Sequence, residues 1–166
     1  MNTEVTAITA WTTDQVLAHW QGHRGLTRKV IEAFPEKELF EYSIGGMRPF
    51  SELAMEMIVI AEDGMTGILT REWAPIGDGS HTSAILKEKS KAALLEKWDH
   101  VTAHINAIWP QLDEADFLRI EKAFGAYENT NLKTIQYAID NEIHHRGQGY
   151  VYLRSLGIQP PFFWEH

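Results

Sequence analysis

The run Asp140-Asn141-Glu142-Ile143-His144-His145-Arg146-Gly147-Gln148 crowds two imidazoles, a guanidinium, carboxylates and amides together. The residues that follow, Gly149-Tyr150-Val151-Tyr152-Leu153-Arg154, are largely apolar and aromatic. A buried polar atom must find a partner or cost free energy. A helix carrying this mixture therefore aims its polar groups at another helix, a ligand or a cation. Asn141 and His145 stand one helical turn apart, on a stripe shared with Thr134, Ala138 and Tyr152. Such a pair can chelate a cation or hydrogen-bond across to a neighbouring helix, and the spacing leaves both open. His144 projects about 100° away from His145, toward the surface. Glu142 and Arg146 are also a turn apart and are most simply an i,i+4 ion pair, which contributes little if exposed; alternatively, Arg146 anchors an anionic substrate. Gln148 is placed to orient a neighbouring polar group.

Glu56 is the only charge in Leu53-Ala54-Met55-Glu56-Met57-Ile58-Val59-Ile60-Ala61. If buried, it must be paired, metal-bound or protonated. The same helical wheel sets it beside Glu52 and Asp63, so the inner edge of a solvated stripe is the other reading. Two further histidine pairs, His19 with His23 and His100 with His104, have chelating spacing, which arises often by chance. His100 and His104 lie off the Leu94-Trp98-Ile105 face and are expected to be exposed. His23 is nearer an inner stripe, which makes it a pocket candidate rather than a ligand. There is no Ser-His-Asp order, phosphate-binding glycine loop or dinucleotide fingerprint, and Gly45-Gly46 is a turn signal.

Four long helices must position these groups. The first is expected from Thr13 to Phe34, capped by Thr12 or Thr13 and stopped by Pro35, with Val16, Trp20, His23, Thr27, Val30 and Ile31 inward. The second starts after Pro49, with Ser51 as its cap, and runs to about Arg71; Gly64 and Gly67 predict a bend or early end there. The third spans about Ser83 to Trp109, with Leu94, Trp98, Val101, Ile105 and Ile108 on one side and Pro110 ending it. The fourth spans Leu132 to Leu156, capped by Thr130 or Asn131 and closed by Gly157, with Leu132, Ile135, Ile139, Ile143 and Leu153 sharing a face. Residues 36–49 form a turn-rich approach, and 111–130 a short helix or strand pair capping the helices. The tail aromatics Phe162, Phe163 and Trp164 are expected to pack back onto the domain. The pattern predicts an all-α, antiparallel four-helix bundle.

The chain has 166 residues, 44% hydrophobic and 23% charged, which suits a single domain over residues 1–166 with one substantial core. A net charge of -8 repels phosphate backbones and anionic membranes, so nucleic acid is not an expected partner. The absence of cysteine excludes disulfides, thiolate–metal sites and a cysteine nucleophile. The first residues, Met1 to Thr6, lack the pattern of a secretory signal, and no apolar run reaches membrane-spanning length, so a cytoplasmic protein is expected.

The run His145-Arg146-Gly147-Gln148, with Tyr152-Leu153-Arg154-Ser155-Leu156-Gly157-Ile158 and Pro160-Pro161 behind it, resembles the closing helix of the DinB-like family. These are small damage-inducible helical bundles related to the YfiT-like metal-dependent hydrolases, and the order of helices is similar as well. The resemblance implies a bundle with an unusual crossover connection, often a homodimer, associated with stress and acting on a small-molecule substrate. It also implies a divalent metal held by three histidines, one on the second helix and two spaced by four on the last. The wider superfamily includes transferases that use small thiols such as mycothiol or bacillithiol, and maleylpyruvate isomerases. In this chain those three positions hold Glu56, Asn141 and His145. Oxygen donors would move the preference toward harder cations.

Two functions follow from the resemblance. One is a metal-dependent hydrolase or small-thiol transferase with an altered Zn, Ni or Mn site of Glu56, Asn141 and His145. There Glu56 and His145 are the catalytic pair, and His23, Asn141, Gln148 and Tyr152 line the pocket. The other is a metal-free binding or dimeric scaffold protein in which the same three groups close into a hydrogen-bond network. Both require the three side chains to converge between the second and fourth helices.

Overall fold

The computed structural model describes residues 11–73, 75 and 88–166. The N-terminal residues read for a targeting signal and the expected start of the third helix, 83–87, lie outside the described residues. Helix α1 (Thr13–Ala33) begins with a capping box: Gln15 donates its backbone N–H to Thr12 Oγ1 at 3.2 Å, and its side chain accepts from the Thr12 backbone at 2.9 Å. Pro35 ends it, as expected. A short helix, α2 (Glu36–Glu41), follows where only turns were expected, and Leu39 anchors it in the core. Gly45 and Gly46 then take positive φ in a turn.

Helix α3 (Phe50–Thr70) has the expected span but not the expected cap. Pro49 stands at the N-cap and Ser51 is buried inside the first turn without capping it, because Pro49 already supplies the extended entry to the helix. Gly64 and Gly67 do not break the helix. A Cβ at Gly67 would lie 2.5 Å from the Trp73 ring, so that glycine lets the returning chain pack onto α3. Helix α4 (Lys91–Ile108) starts later than expected: Ser90 caps it by accepting from the Ala93 N–H, and 88–90 are not helical. Its inner stripe is the expected one, with Leu94, Trp98, Val101, Ile105 and Ile108 all buried.

Around Pro110, residues Trp109–Gln111 form one 3-10 turn, and Asp113 caps α5 (Glu114–Leu118). Strands β1 (Ile120–Ala123) and β2 (Tyr127–Thr130) pair antiparallel, with Ile120 opposite Thr130 and Ala123 opposite Tyr127. The segment 111–130 thus holds both a helix and a strand pair, and the purely helical class is corrected: the fold is mostly helical with a small two-stranded sheet. Helix α6 (Asn131–Ser155) is capped by Thr130, which accepts from the Lys133 N–H. It closes on Gly157 (φ 76), with Gly157 N–H to Arg154 O and Ile158 N–H to Leu153 O at 3.0 and 2.9 Å, a Schellman ending.

Helix α3 packs against α4 and α6, and α1 packs against the same two. Trp20, Phe34, Phe50, Ile58 and Trp98 fill the space between them, with Phe34 and Phe50 stacked at 4.8 Å. A Cβ at Gly149 would sit 2.4 Å from the Phe50 ring, so α6 approaches α3 closely at that point. Ile143, expected inward, is 38% exposed. The tail aromatics also depart from expectation: Phe162, Phe163 and Trp164 are exposed and stack chiefly on one another, 4.6 Å between the rings of Phe162 and Trp164. Among the described residues, no helix is long and apolar enough to cross a membrane.

Candidate functional site

Glu56 sits on the inner edge of α3, half-buried, and α6 presents Asn141 and His145 to it from successive turns. Asn141 Nδ2 donates to Glu56 Oε1 at 3.2 Å, and His145 Nε2 lies 3.0 Å from the same oxygen. Arg48, from the loop before α3, holds Glu56 Oε2. On the far side of the imidazole, His145 Nδ1 is 2.7 Å from Gln148 Oε1. The Tyr152 hydroxyl donates to the Arg48 carbonyl at 2.8 Å and so fixes the loop that carries the guanidinium. The expected convergence is present, and Gln148 does orient its neighbour. Tyr152 acts through the Arg48 backbone. Arg48 itself was not read from the sequence, because nothing in a turn-rich loop marks one arginine as reaching back into the next helix.

The hydrogen bonds decide the protonation of this cluster. With a carboxylate oxygen at Nε2 and the Gln148 amide oxygen at Nδ1, both ring nitrogens of His145 face acceptors, an arrangement that favours the imidazolium form. Burial works against that charge, but the bonds to Glu56 and Gln148 outweigh it and raise the pKa of His145 above the usual histidine value. The bond from His145, joined by that from Arg48 and opposed by burial, lowers Glu56 to about 2. The cluster is thus a carboxylate held by the Arg48 guanidinium and by an imidazole whose charged form the bonds favour.

His23 is not in this cluster. It faces α6 from α1, within a second group that sequence reasoning missed. Glu142 and Arg146, expected as a simple i,i+4 ion pair, are 1% and 6% exposed, and Arg24 is fully buried. Glu142 Oε2 lies 3.6 Å from Arg24 Nη1, and Thr27 donates its hydroxyl to Glu142 Oε1 at 2.7 Å. Arg146 Nη1 is 4.0 Å from that same carboxylate, and Nη2 donates to His23 Nδ1 at 3.1 Å. Arg24 lies 3.8 Å over the Trp98 ring and donates to Thr102 Oγ1 and the Trp98 carbonyl. Burial raises the pKa of Glu142 against the pull of Arg24, and lowers Arg24 to about 10. Burial, then the nearby Arg146 charge, takes His23 down to about 3, so it is neutral. The available signal was the spacing Ile135, Ile139, Glu142, Arg146, Gly149, Leu153, an alternating four-three repeat that marks the true inner face of α6.

His144 is exposed, as expected, and so is His100. His104, expected outside, is half-buried because its Nε2 is 2.9 Å from Thr66 Oγ1 on α3.

The family model described as the DinB family matches residues 1–165. The chain belongs to the DinB family. It is similar to the uncharacterized protein YjoA of Bacillus subtilis, 26% identical over 166 residues and covering 90% of this chain and 95% of that protein. The crystal structure of the DinB-like YjoA superposes with a TM-score of 0.69 at 24% identity, covering 90% and 96% of the two chains. A DinB-like protein from Bacillus cereus gives 0.70 at 19% identity, covering 90% and 95%. A mycothiol-dependent maleylpyruvate isomerase gives 0.65 at 12% identity, covering 82% of this chain and 60% of that one, a likeness of fold alone.

At the three positions where the DinB resemblance implies metal ligands, the side chains present do not fit a divalent cation. A ligand histidine needs a free lone pair, and both nitrogens of His145 are engaged, Nε2 by Glu56 and Nδ1 by Gln148. Both oxygens of Glu56 are taken, one of them by a guanidinium. Asn141 Oδ1 is the one buried acceptor of the cluster without a hydrogen-bond partner.

Proposed function

We propose that this DinB-family protein is a small-molecule-binding protein, built on an antiparallel four-helix bundle, in which an ion pair closes the position the family's metal would take. The observation that carries this reading is that both ring nitrogens of His145 are engaged, Nε2 by Glu56 and Nδ1 by Gln148, which leaves neither open to a metal. The cluster sets two basic side chains, Arg48 and His145, against the single carboxylate of Glu56, and so suits an anionic group. A surface cavity of about 240 Å³ opens beside it on α6, lined by Phe124, Tyr127, Asn129, Lys133, Thr134 and Tyr137. Tyr137 precedes Asn141 by one turn, and aromatic walls with a single lysine suit a small aromatic anion. Phe124 adopts φ 54, a strained value for an aromatic residue, while burying its ring at this cavity. Titrating the protein with benzoate and related aromatic acids, followed by amide chemical shifts, tests the reading. Shifts confined to Tyr127, Lys133, Tyr137 and Asn141 support it; no saturable shift at millimolar ligand removes it.

A second reading, a metal-dependent hydrolase or small-thiol transferase using Zn, Ni or Mn at Glu56, Asn141 and His145, is favoured by the unpartnered Asn141 Oδ1. It requires Arg48 to withdraw and His145 to lose a proton. Stoichiometric metal that disappears in His145→Ala protein would establish it. We carry forward the homodimer as well: Ile143 and Val151 leave apolar surface on the outer side of α6 beside the exposed tail aromatics, and sedimentation equilibrium measures it.

A further inference from the structure

A second group of imidazoles lies away from the Glu56 cluster, where the C-terminal tail crosses α1. His19 and His23 stand one turn apart on α1 with their Nε2 atoms 3.2 Å apart. On a tetrahedral zinc with Zn–N bonds of 2.0–2.1 Å, two ligand nitrogens are about 3.3 Å apart. His166 joins them from the tail, stacked on His23 at 4.5 Å, and the three ligand nitrogens lie within 4.8 Å of one another.

The tail is seated rather than draped. A Cβ at Gly22 would meet the His166 carbonyl carbon at 2.9 Å, so only glycine at that position lets the tail backbone lie on α1. Lys29 pairs with Glu165 at 3.2 Å and holds the same segment. His166 Nδ1 donates to the Phe163 carbonyl at 2.8 Å, which leaves its Nε2 with a free lone pair. The rings of His23 and His166 are nearly parallel, at 18°, so the exposed His166 ring must turn to aim that lone pair between the other two.

We propose that His19, His23 and His166 form a binding site for a divalent cation of the zinc, nickel or copper type. Three imidazole ligands select borderline cations over calcium, magnesium and manganese. Arg146 shapes the site. It donates to His23 Nδ1, so the proton of neutral His23 sits on Nε2 and bridges to His19. A cation entering between the two Nε2 atoms takes that proton's place. The proton moves to Nδ1 as Arg146 turns fully toward Glu142, or it is released.

Calorimetry with zinc and nickel chlorides on untagged full-length protein, after chelator treatment, tests this. One site per chain is expected, weakened on the order of tenfold or more in His19→Ala and His166→Ala and unchanged in His145→Ala. Gly22→Ala removes no ligand and is expected to weaken binding as well, by displacing the tail. Far-UV circular dichroism checks that each variant is folded, and His166→Ala, at the exposed end of the chain, serves should a helix variant fail. Absence of binding by the unaltered protein overturns the proposal, as does binding indifferent to His166→Ala and Gly22→Ala. Binding lost only in His145→Ala overturns it too, and assigns the cation to Glu56, Asn141 and His145. The proposal is independent of the small-molecule reading, whose cavity contains none of these histidines.

Discussion

Glu56 Oε1 and His145 Nε2 meet at 3.0 Å, one from α3 and one from α6, with Arg48 on the opposite oxygen of the carboxylate. Because each partner shifts the other, their titrations report the geometry directly. In Glu56→Gln protein His145 is expected to titrate at a lower pH than in the parent, since burial then acts with less opposition. In Arg48→Ala protein it is expected to move up, because a repelling charge has gone. Imidazole proton shifts followed against pH read both, and identical curves in all three proteins would contradict the cluster.

The same pair makes stability depend on pH from two sides. Glu56 is depressed to about 2, so its contribution is present above its unfolded value, about 4.5, and is lost as pH falls toward the folded one. His145 is raised, so its contribution is present below its unfolded value, about 6.5, and is lost as pH rises through the folded one. Both operate fully between roughly pH 4.5 and 6.5. Urea midpoints are therefore expected to peak in that window and to flatten in Glu56→Gln. The loss at the peak is about 1 kcal/mol, the part-exposed site screening a charged hydrogen bond that would be stronger if buried.

Glu142 is the buried counter-charge for Arg24 and Arg146. Glu142→Gln leaves two guanidinium groups facing a neutral amide, and a destabilisation of roughly 3 kcal/mol is expected by urea unfolding at neutral pH. Replacing Arg24 by Met and Glu142 by Leu together is expected to cost less than the two single changes summed, because Arg24 is then no longer a buried charge without its partner and only Arg146 is left unpaired. Additive losses would show that the charges act separately.

Gly149→Ala reverses the usual helix rule. Alanine in place of a mid-helix glycine ordinarily stabilises by about 1 kcal/mol. Here its Cβ would lie 2.4 Å from the Phe50 ring, which is stacked on Phe34 and has nowhere to go. A net loss of about 1–3 kcal/mol is expected in thermal or urea unfolding. A stabilised variant would mean that α3 and α6 separate easily at this point.

Local chemistry decided much of this protein ahead of any tertiary contact. Thr12, Ser90 and Thr130 cap helices because a side-chain oxygen can satisfy N–H groups that the first turn leaves free, and Gly157 ends α6 because only glycine takes its positive φ cheaply. Glu56, Asn141 and His145 could be placed together from their matching positions in the family's motif. The cap of α4, Ser90, was not singled out in the expected span from about Ser83, since a short-range signal does not say which of several candidate positions starts a helix.

What the chain could not disclose locally is what stands opposite each side chain. Glu142 and Arg146 have the same i,i+4 spacing whether they face water or a neighbour, and only Arg24 and Thr27 arriving from α1 turn the pair into a buried network. Arg48 reaches Glu56 because the loop before α3 folds back, held by Tyr152. His166 meets His19 and His23 from the far end of the sequence because the tail crosses α1 at Gly22. Hydrogen-bond capping acts over three or four residues, whereas burial and charge pairing depend on which distant surface packs closest, and that is settled only when the helices assemble.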